Sequence, residues 1–278
     1  MSPSNGATLV EVGTAIESVA GRVARVIRSA SDLSRAVPRL EWTAAETAAH
    51  LVAVCRVYTE AITGYEEKWM APYLSGPDSA PARVAEGNAR TLAQMTDHDA
   101  ASLSRQLDEA VRAFLGALAG RSGSTSVKTP WWGEGHSRDL ASLAAIALGE
   151  FVVHGYDIAR ALGQSWAIDP AHARLVLDSA MWEIPHHVNP ETARDVDASY
   201  MIHVRGGRRF VIHFDQGSAT MHTSREPVDC HLWVDPVAFL LVGYGRIGQW
   251  GPIAKGKLVA WGRKPWLGVK FKSLLLDP

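Results

Sequence analysis

The sequence predicts an α+β protein in which a helical bundle precedes a small α+β domain. Over most of residues 9–181, apolar side chains recur every three or four positions, as on one face of an amphipathic helix. From Tyr200 the period changes to two, which is typical of strands, and Gly-Gly and Gln-Gly-Ser turns join the alternating segments. With 278 residues, 47% of them hydrophobic, the chain is long enough to bury two cores.

Four helices are predicted before the Gly- and Ser-rich segment that begins near residue 120. A capping-box pattern at Thr43 and Glu46 predicts a second helix that ends near Gly64. A third helix is expected around residues 83–94, and Asp99 is the expected cap of the fourth. The apolar stripe of the first helix comprises Leu9, Val12, Ile16, Val19, Val23 and Val26.

A long helix is then predicted to begin at Ser137, and the Asp169-Pro170 pair predicts the start of one more helix. We assign both helices to the bundle. The predicted domains are therefore a helical bundle over residues 1–185 and an α+β domain over residues 186–278.

In the second domain, four alternating segments predict strands: YMIHV, RRFVIHF, ATMHT and VDCHLWV. The Asp235-Pro236 pair predicts a helix cap, and GKLVAWG predicts a further strand before a terminal apolar segment.

Charge and cysteine content exclude several classes of protein. A formal net charge of -1 removes the electrostatic case for a dedicated nucleic-acid binder. Cys55 and Cys230 are too few for a disulfide framework or a cysteine-rich zinc site. The N-terminus lacks signal-peptide features, and the near-apolar run Leu140–Val153 carries Glu150. We therefore expect a cytoplasmic protein with no nucleic-acid and no membrane partner.

The long helix carries polar side chains on its apolar stripe. Glu150 and His154 are four residues apart, so both can reach one cation. His50 lies on the inner stripe of the second helix and is the best candidate for a third ligand, because bundle helices bring such stripes together. Two imidazoles and one carboxylate leave coordination positions open, as in catalytic zinc sites.

A buried Glu-His hydrogen-bonded pair would produce the same spacing. Such pairs arise by chance, and Glu46 and His50 form a second one, although the capping box explains Glu46. The metal interpretation gains support from the cost of burying an ionised Glu150 on an apolar stripe without a partner or a cation. Spacing and burial alone leave both interpretations open.

Three segments in this order, EWTAAETAAHL, TPWWG and GEFVVHGYDIARALG, resemble the N-terminal domain of mycothiol-dependent maleylpyruvate isomerases, a branch of the DinB-like four-helix bundles. The resemblance implies that His50, Glu150 and His154 bind a divalent metal, usually zinc. The segment DPVAFLLVGYGRIGQWGPIAKGKLVAWG is similar to the family's C-terminal domain, which has a sterol-carrier-like fold. The resemblance therefore implies mycothiol as a cofactor.

Cys55 lies about 140° around the helix from His50, at 3.6 residues per turn, so it points away from the expected metal and is not expected to be a nucleophile. We therefore expect a mycothiol thiolate to attack an electrophilic small molecule. S-transfer is favoured over maleylpyruvate isomerisation, because residues 65–90 carry no recognisable carboxylate-binding cluster; Arg83 and Arg90 are isolated from each other in the sequence. A non-catalytic carrier of an apolar ligand is the alternative from another class.

Further side chains are candidates for binding. Arg246 is the expected catalytic anchor for a carboxylate, with Arg263 as runner-up, because a guanidinium binds a carboxylate through two parallel hydrogen bonds. Trp131 and Trp132 are expected to contact the cofactor, with packing against the second domain as the alternative. Asp157 is expected to orient a ligand imidazole or to bind the cofactor. We interpret four further histidines as sheet-surface residues: His203, His213, His222 and His231.

Overall fold

The computed structural model describes residues 8–64, 68–77, 79–133, 135–222 and 227–276. The chain forms two compact units, Met1–Ile168 and Asp169–Pro278. Two features of the sequence analysis lie outside the described residues: the first seven residues, which lack signal-peptide features, and Thr223 at the end of a predicted strand.

In the described part of the first unit, four helices pack against one another as a bundle, as predicted: α1, α2, α4 and α5. A further helix, α3, packs against α2. The bounds of the five helices are α1 Leu9–Arg28, α2 Ala44–Thr63, α3 Ala80–Gln94, α4 Ala100–Leu118 and α5 Leu140–Ala161.

The predicted helix ends are confirmed at α2 and α4. The Thr43 side chain accepts a hydrogen bond from the Glu46 N–H, and the Glu46 carboxylate accepts one from the Thr43 N–H. Gly64 follows the last turn of α2 with φ of 68°, a left-handed conformation that glycine adopts without a steric penalty. The carboxylate of Asp99 caps α4 by accepting from the Ser102 N–H.

The predicted start of α5 at Ser137 is wrong. Residues Ser137–Asp139 form a strand, β2, which pairs antiparallel with β1 (Ser126–Lys128). The helix begins after Asp139, whose carboxylate accepts from the Ser142 N–H and so provides the cap. Because each strand has only three residues, neither shows a measurable period within the Gly- and Ser-rich segment.

The second unit contains a five-stranded sheet in the order β5-β4-β3-β6-β7. Strands β3 and β6 run parallel, and the other neighbouring pairs are antiparallel. All five strands were predicted. Their bounds are β3 Asp197–Val204, β4 Arg209–Asp215, β5 Ser218–His222, β6 Cys230–Val234 and β7 Leu258–Trp261.

Aromatic rings form the centre of the second core. Tyr200 on β3 meets Phe214 and Phe271 edge to face, with ring centroids 5.7 and 5.1 Å apart. The helices of this unit are α6 Pro170–Ala180, α7 Pro236–Gly243 and α8 Trp250–Ala254. The Asp235 carboxylate caps α7, as predicted, by accepting from the Ala238 N–H.

The division between the units falls after Ile168, before α6, whereas we predicted a boundary after residue 185. The cap at Asp169 and Pro170 forms as expected. Helix α6 then packs against α7 of the second unit. Its apolar face therefore belongs to the second core, which the period of the helix alone does not reveal.

Helix α5 is long and apolar enough to span a membrane by length and composition. In the structure, 72% of its most apolar stretch is buried inside the protein. The core helix of a bundle meets the same criterion, so its composition is explained by its position between α1 and α2.

Candidate metal centre

Three side chains from two helices converge at one point of the bundle. His50 projects from α2, and Glu150 and His154 project from α5. The carboxylate Oε2 of Glu150 lies 3.2 Å from His50 Nε2 and 3.3 Å from His154 Nε2. One donor atom from each residue lies within 4.8 Å of the other two. The predicted ligand set is therefore brought together as the spacing indicated.

The cluster is largely buried. His50 and His154 are 5% and 8% exposed. The Glu150 side chain is 23% exposed. Glu150 is therefore the member of the cluster that solvent reaches most readily.

Asp157 determines which nitrogen of His154 faces the cluster. Its Oδ2 lies 3.0 Å from His154 Nδ1, and because a carboxylate only accepts hydrogen bonds, Nδ1 carries the proton. Nε2 is then the nitrogen that faces Glu150, where it donates to the carboxylate or, when a cation takes the place of its proton, offers its lone pair to that cation. Asp157 is itself buried, at 2% exposure. A carboxylate behind a ligand imidazole in this manner orients the ring and raises its basicity.

Burial and hydrogen bonding act in opposite directions on the pKa values of the cluster. Burial lowers the pKa of His50. At His154 burial acts in the same direction, but the hydrogen bonds to Asp157 and Glu150 outweigh it and raise the pKa. At Glu150 burial would raise the pKa, but hydrogen bonds from His154 and His50 outweigh it and lower the pKa. Glu150 is therefore an anionic ligand at neutral pH.

The donor set fits a divalent transition metal. Imidazole nitrogen and carboxylate oxygen suit zinc, and three protein ligands leave at least one coordination position for another molecule. The hydrogen bond behind His154 supplies the outer support that such ligands require.

Family comparison places these three residues within one domain. The family model for the mycothiol maleylpyruvate isomerase N-terminal domain matches residues 14–159, which is more than half of the chain. The chain belongs to this family. The match covers α2 and α5 up to Ala159, and thus all three members of the cluster.

Two solved structures have the same fold as this chain. The crystal structure of the mycothiol-dependent maleylpyruvate isomerase has 16% sequence identity to this chain and a TM-score of 0.53. A histidine-to-alanine mutant of that enzyme has 16% identity and a TM-score of 0.52. In both comparisons the match covers 91% of this chain and 93% of the other. A comparison with curated proteins finds no match.

Trp42 belongs to the site, and we did not predict it. Its ring centroid lies 4.9 Å from that of His50 and 6.1 Å from that of His154. An aromatic residue before a helix cap is usually interpreted as packing. The signal that could have identified it is its position directly before the cap of the helix that carries His50.

The two predicted cofactor-binding tryptophans lie in a short 3-10 helix, Pro130–Trp132. Trp131 is buried and stacks on Tyr58 of α2, with ring centroids 5.5 Å apart. Trp132 is half-buried, and the Arg138 guanidinium lies 5.1 Å from its ring centroid. Trp131 therefore packs on a helix of the first unit, a contact that neither the cofactor-binding prediction nor its alternative specified.

The predicted anchors Arg246 and Arg263 both belong to the second unit. Arg246 is 6% exposed and donates a hydrogen bond of 2.7 Å to the Tyr244 carbonyl. Arg263 forms an ion pair with Asp229. Arg246 is therefore buried, whereas the Arg263 side chain is 71% exposed, as in an ordinary surface arginine.

The four histidines that we interpreted as sheet-surface residues, His203, His213, His222 and His231, lie on strands of the sheet. His203 and His231 share a hydrogen bond of 3.1 Å, and His213 pairs with Asp197 at 3.0 Å. Among the described residues, the only group of three or more metal-competent side chains that meets is the cluster of His50, Glu150 and His154.

Proposed function

We propose that this protein is a metal-dependent enzyme that activates the thiol of mycothiol for attack on an electrophilic small molecule. The observation that carries the proposal is the convergence of His50, Glu150 and His154 within a domain of this family. A zinc ion bound there supplies positive charge that lowers the pKa of a coordinated thiol.

The residues of the chain have separate parts in this chemistry. His50 and His154 provide neutral nitrogen donors, and Glu150 provides one negative charge. Asp157 keeps the proton of His154 on Nδ1, so that Nε2 is available as a donor. We propose that a ligand approaches from the side of Glu150, which is the most exposed of the three side chains.

The chain itself supplies no accessible sulfur nucleophile. Cys55 and Cys230 are both buried. Burial raises the pKa of both thiols, that of Cys230 to about 11, so both are protonated at neutral pH. An imported thiol is therefore required for sulfur chemistry, which supports the role of mycothiol.

S-transfer is the reaction that we propose. In this reaction the thiol loses its proton, and the sulfur forms a bond to an electrophilic carbon. A leaving group then departs with its electron pair, or a proton completes the addition. Arg83 and Arg90, which could have bound a substrate carboxylate, have protein partners: Arg83 donates to the Trp131 carbonyl and Arg90 pairs with Glu86. Because both guanidinium groups have protein partners, we propose that the acceptor does not need a carboxylate-binding arginine in this segment.

Three finer assignments remain part of the proposal. Arg246 is the anchor for an anionic group of the acceptor. Trp132, which is less buried than Trp131, is the better placed of the two for contact with mycothiol. The protein acts in the cytoplasm, where low-molecular-weight thiols are kept reduced.

The carrier alternative receives little support from the second unit. The apolar cavity there, lined by Leu232, Phe239 and Phe271 among others, has a volume of about 90 Å³. Pockets for drug-sized ligands have volumes of about 300–1,000 Å³. The cavity is too small for a sterol or a long acyl chain in this conformation.

Mass spectrometry distinguishes the reactions. Zinc-loaded protein is incubated with mycothiol and either an aryl halide or maleylpyruvate. We expect a stable sulfur adduct with loss of halide from the aryl halide. An unchanged mass with altered alkene geometry from maleylpyruvate, without any adduct, would instead establish isomerisation.

Variants test the role of the metal centre in the same assay. His154→Ala should abolish both stoichiometric zinc and adduct formation, whereas the control His213→Ala on the sheet should change neither. Purified native protein that takes up no zinc at one equivalent per chain would overturn the proposal.

A further inference from the structure

Trp42 contacts both imidazoles of the metal cluster, although they belong to different helices. Its ring is tilted by 44° to that of His50 and by 39° to that of His154. The two imidazoles meet each other edge to face at 82°, with centroids 5.0 Å apart. The indole therefore lies against the two rings where they meet.

The backbone holds Trp42 in place on both sides. The Trp42 carbonyl accepts a hydrogen bond of 2.9 Å from the Val37 N–H, which closes the preceding turn. Ala36 forms an isolated bridge with Thr43, the residue after Trp42. Thr43 is in turn fixed by the capping box of α2. These interactions within the protein therefore hold the backbone of Trp42 in place without any ligand.

The indole is half-buried, so one part packs on the imidazoles and the rest faces outward. The aromatic contacts of the indole, among the described residues, are with these two rings. Apolar surface over a ligand cluster excludes water and strengthens the electrostatic attraction between ligands and cation.

We propose that Trp42 is a positioning residue of the metal centre, which holds His50 and His154 in the orientation that binds the ion and shields their donors from water. This inference rests on the proposed function, because it requires a metal at the cluster. It assigns to Trp42 no contact with the reacting atoms.

Cobalt substitution tests this role without an activity assay. Co²⁺ is titrated into native protein, Trp42→Leu and Trp42→Phe in the presence of a competing chelator, and its visible spectrum is recorded. We expect Trp42→Leu to bind Co²⁺ about 10-fold more weakly or worse, as for other outer-shell partners, and to show altered band positions. Trp42→Phe should recover most of the affinity and the native spectrum, because a ring remains against the imidazoles.

Trp69→Leu is the matched control. Trp69 is also a half-buried tryptophan of the first unit, but its ring lies 4.5 Å from the Arg56 guanidinium and not on the ligands. It should bind Co²⁺ as the native protein does. Native affinity and spectrum in Trp42→Leu, or an equal loss in Trp69→Leu, would overturn the positioning role while leaving the metal site intact. Failure of the native protein to bind Co²⁺ would overturn the metal site and this role together.

Discussion

Asp157 supports the site from outside the cluster of His50, Glu150 and His154. It holds His154 through Nδ1 and is almost completely buried. Replacing its carboxylate removes a charge from behind the imidazole without changing the shape of the side chain.

We predict that Asp157→Asn lowers the affinity for zinc by about 10- to 100-fold, the usual effect of removing such a partner. The amide is a weaker acceptor and can also present its NH₂ group to Nδ1, which would turn the proton towards the cluster. Chelator competition measures the affinity. The exposed variant Asp108→Asn serves as control, and an unchanged zinc affinity in Asp157→Asn would contradict the orienting role.

At this scale the sequence predicted the convergence of His50, Glu150 and His154 but not the surroundings of the cluster. A four-residue spacing on an apolar stripe was enough to relate Glu150 to His154, because helix geometry fixes their separation. Trp42 precedes the helix, and its contacts depend on a turn and on the approach of a second helix. No local pattern encodes those two conditions.

At the scale of the helices, close packing around α5 sets where His154 lies. Gly155 follows it directly, and a Cβ at this position would lie 2.5 Å from a Trp166 ring atom and 3.0 Å from Val23. The glycine therefore allows α1 and the Trp166 ring to approach α5 next to His154.

We predict that Gly155→Ala destabilises the first unit by about 1–3 kcal/mol, because overpacking outweighs the better helix propensity of alanine. Urea unfolding followed by circular dichroism measures the change. Gly116→Ala is the control, since that glycine lies in α4 with no atom within 4 Å of an added Cβ. It should leave stability unchanged or raise it by up to about 1 kcal/mol.

Helix caps were predictable because a few adjacent side chains decide them. The caps at Thr43, Asp99 and Asp169 formed as expected. The start of α5 was misplaced because Ser137 and Asp139 are both cap-forming types, and the pairing of β2 with β1 selects the later one.

For the whole molecule, the division into units was the least predictable feature. Helix α6 carries an amphipathic pattern like those of the bundle helices, and only its packing against α7 assigns it to the second unit. The change of period near Tyr200 located the sheet correctly but could not show that one helix precedes it in the same unit.

The stability of the second unit is expected to depend on pH through the carboxyl group of Asp229. Although burial would raise the pKa of this carboxyl, hydrogen bonds from Ser199, Arg263 and Lys264 outweigh it and lower the pKa from its ordinary value of 3.8. A depressed carboxyl pKa stabilises the folded state above the ordinary value. That stabilisation is lost as the pH falls below 3.8 towards the folded pKa.

We predict that Asp229→Asn destabilises this unit by about 1–3 kcal/mol at pH 7, since the donors from Ser199, Arg263 and Lys264 lose a charged acceptor. The variant should also lose less stability than the native protein between pH 4 and pH 2. Amide hydrogen exchange in β3 and β6 measures both effects. Equal acid sensitivity of the two proteins would rule out Asp229 as the group responsible.

The burial of Cys55 and Cys230 has a consequence for the function proposed above. Reagents that accept sulfur from mycothiol also alkylate exposed protein thiols. With both sulfurs enclosed and protonated, the proposed S-transferase would not be inactivated through its own cysteines. Its working lifetime in the presence of such reagents would then be set by other side chains.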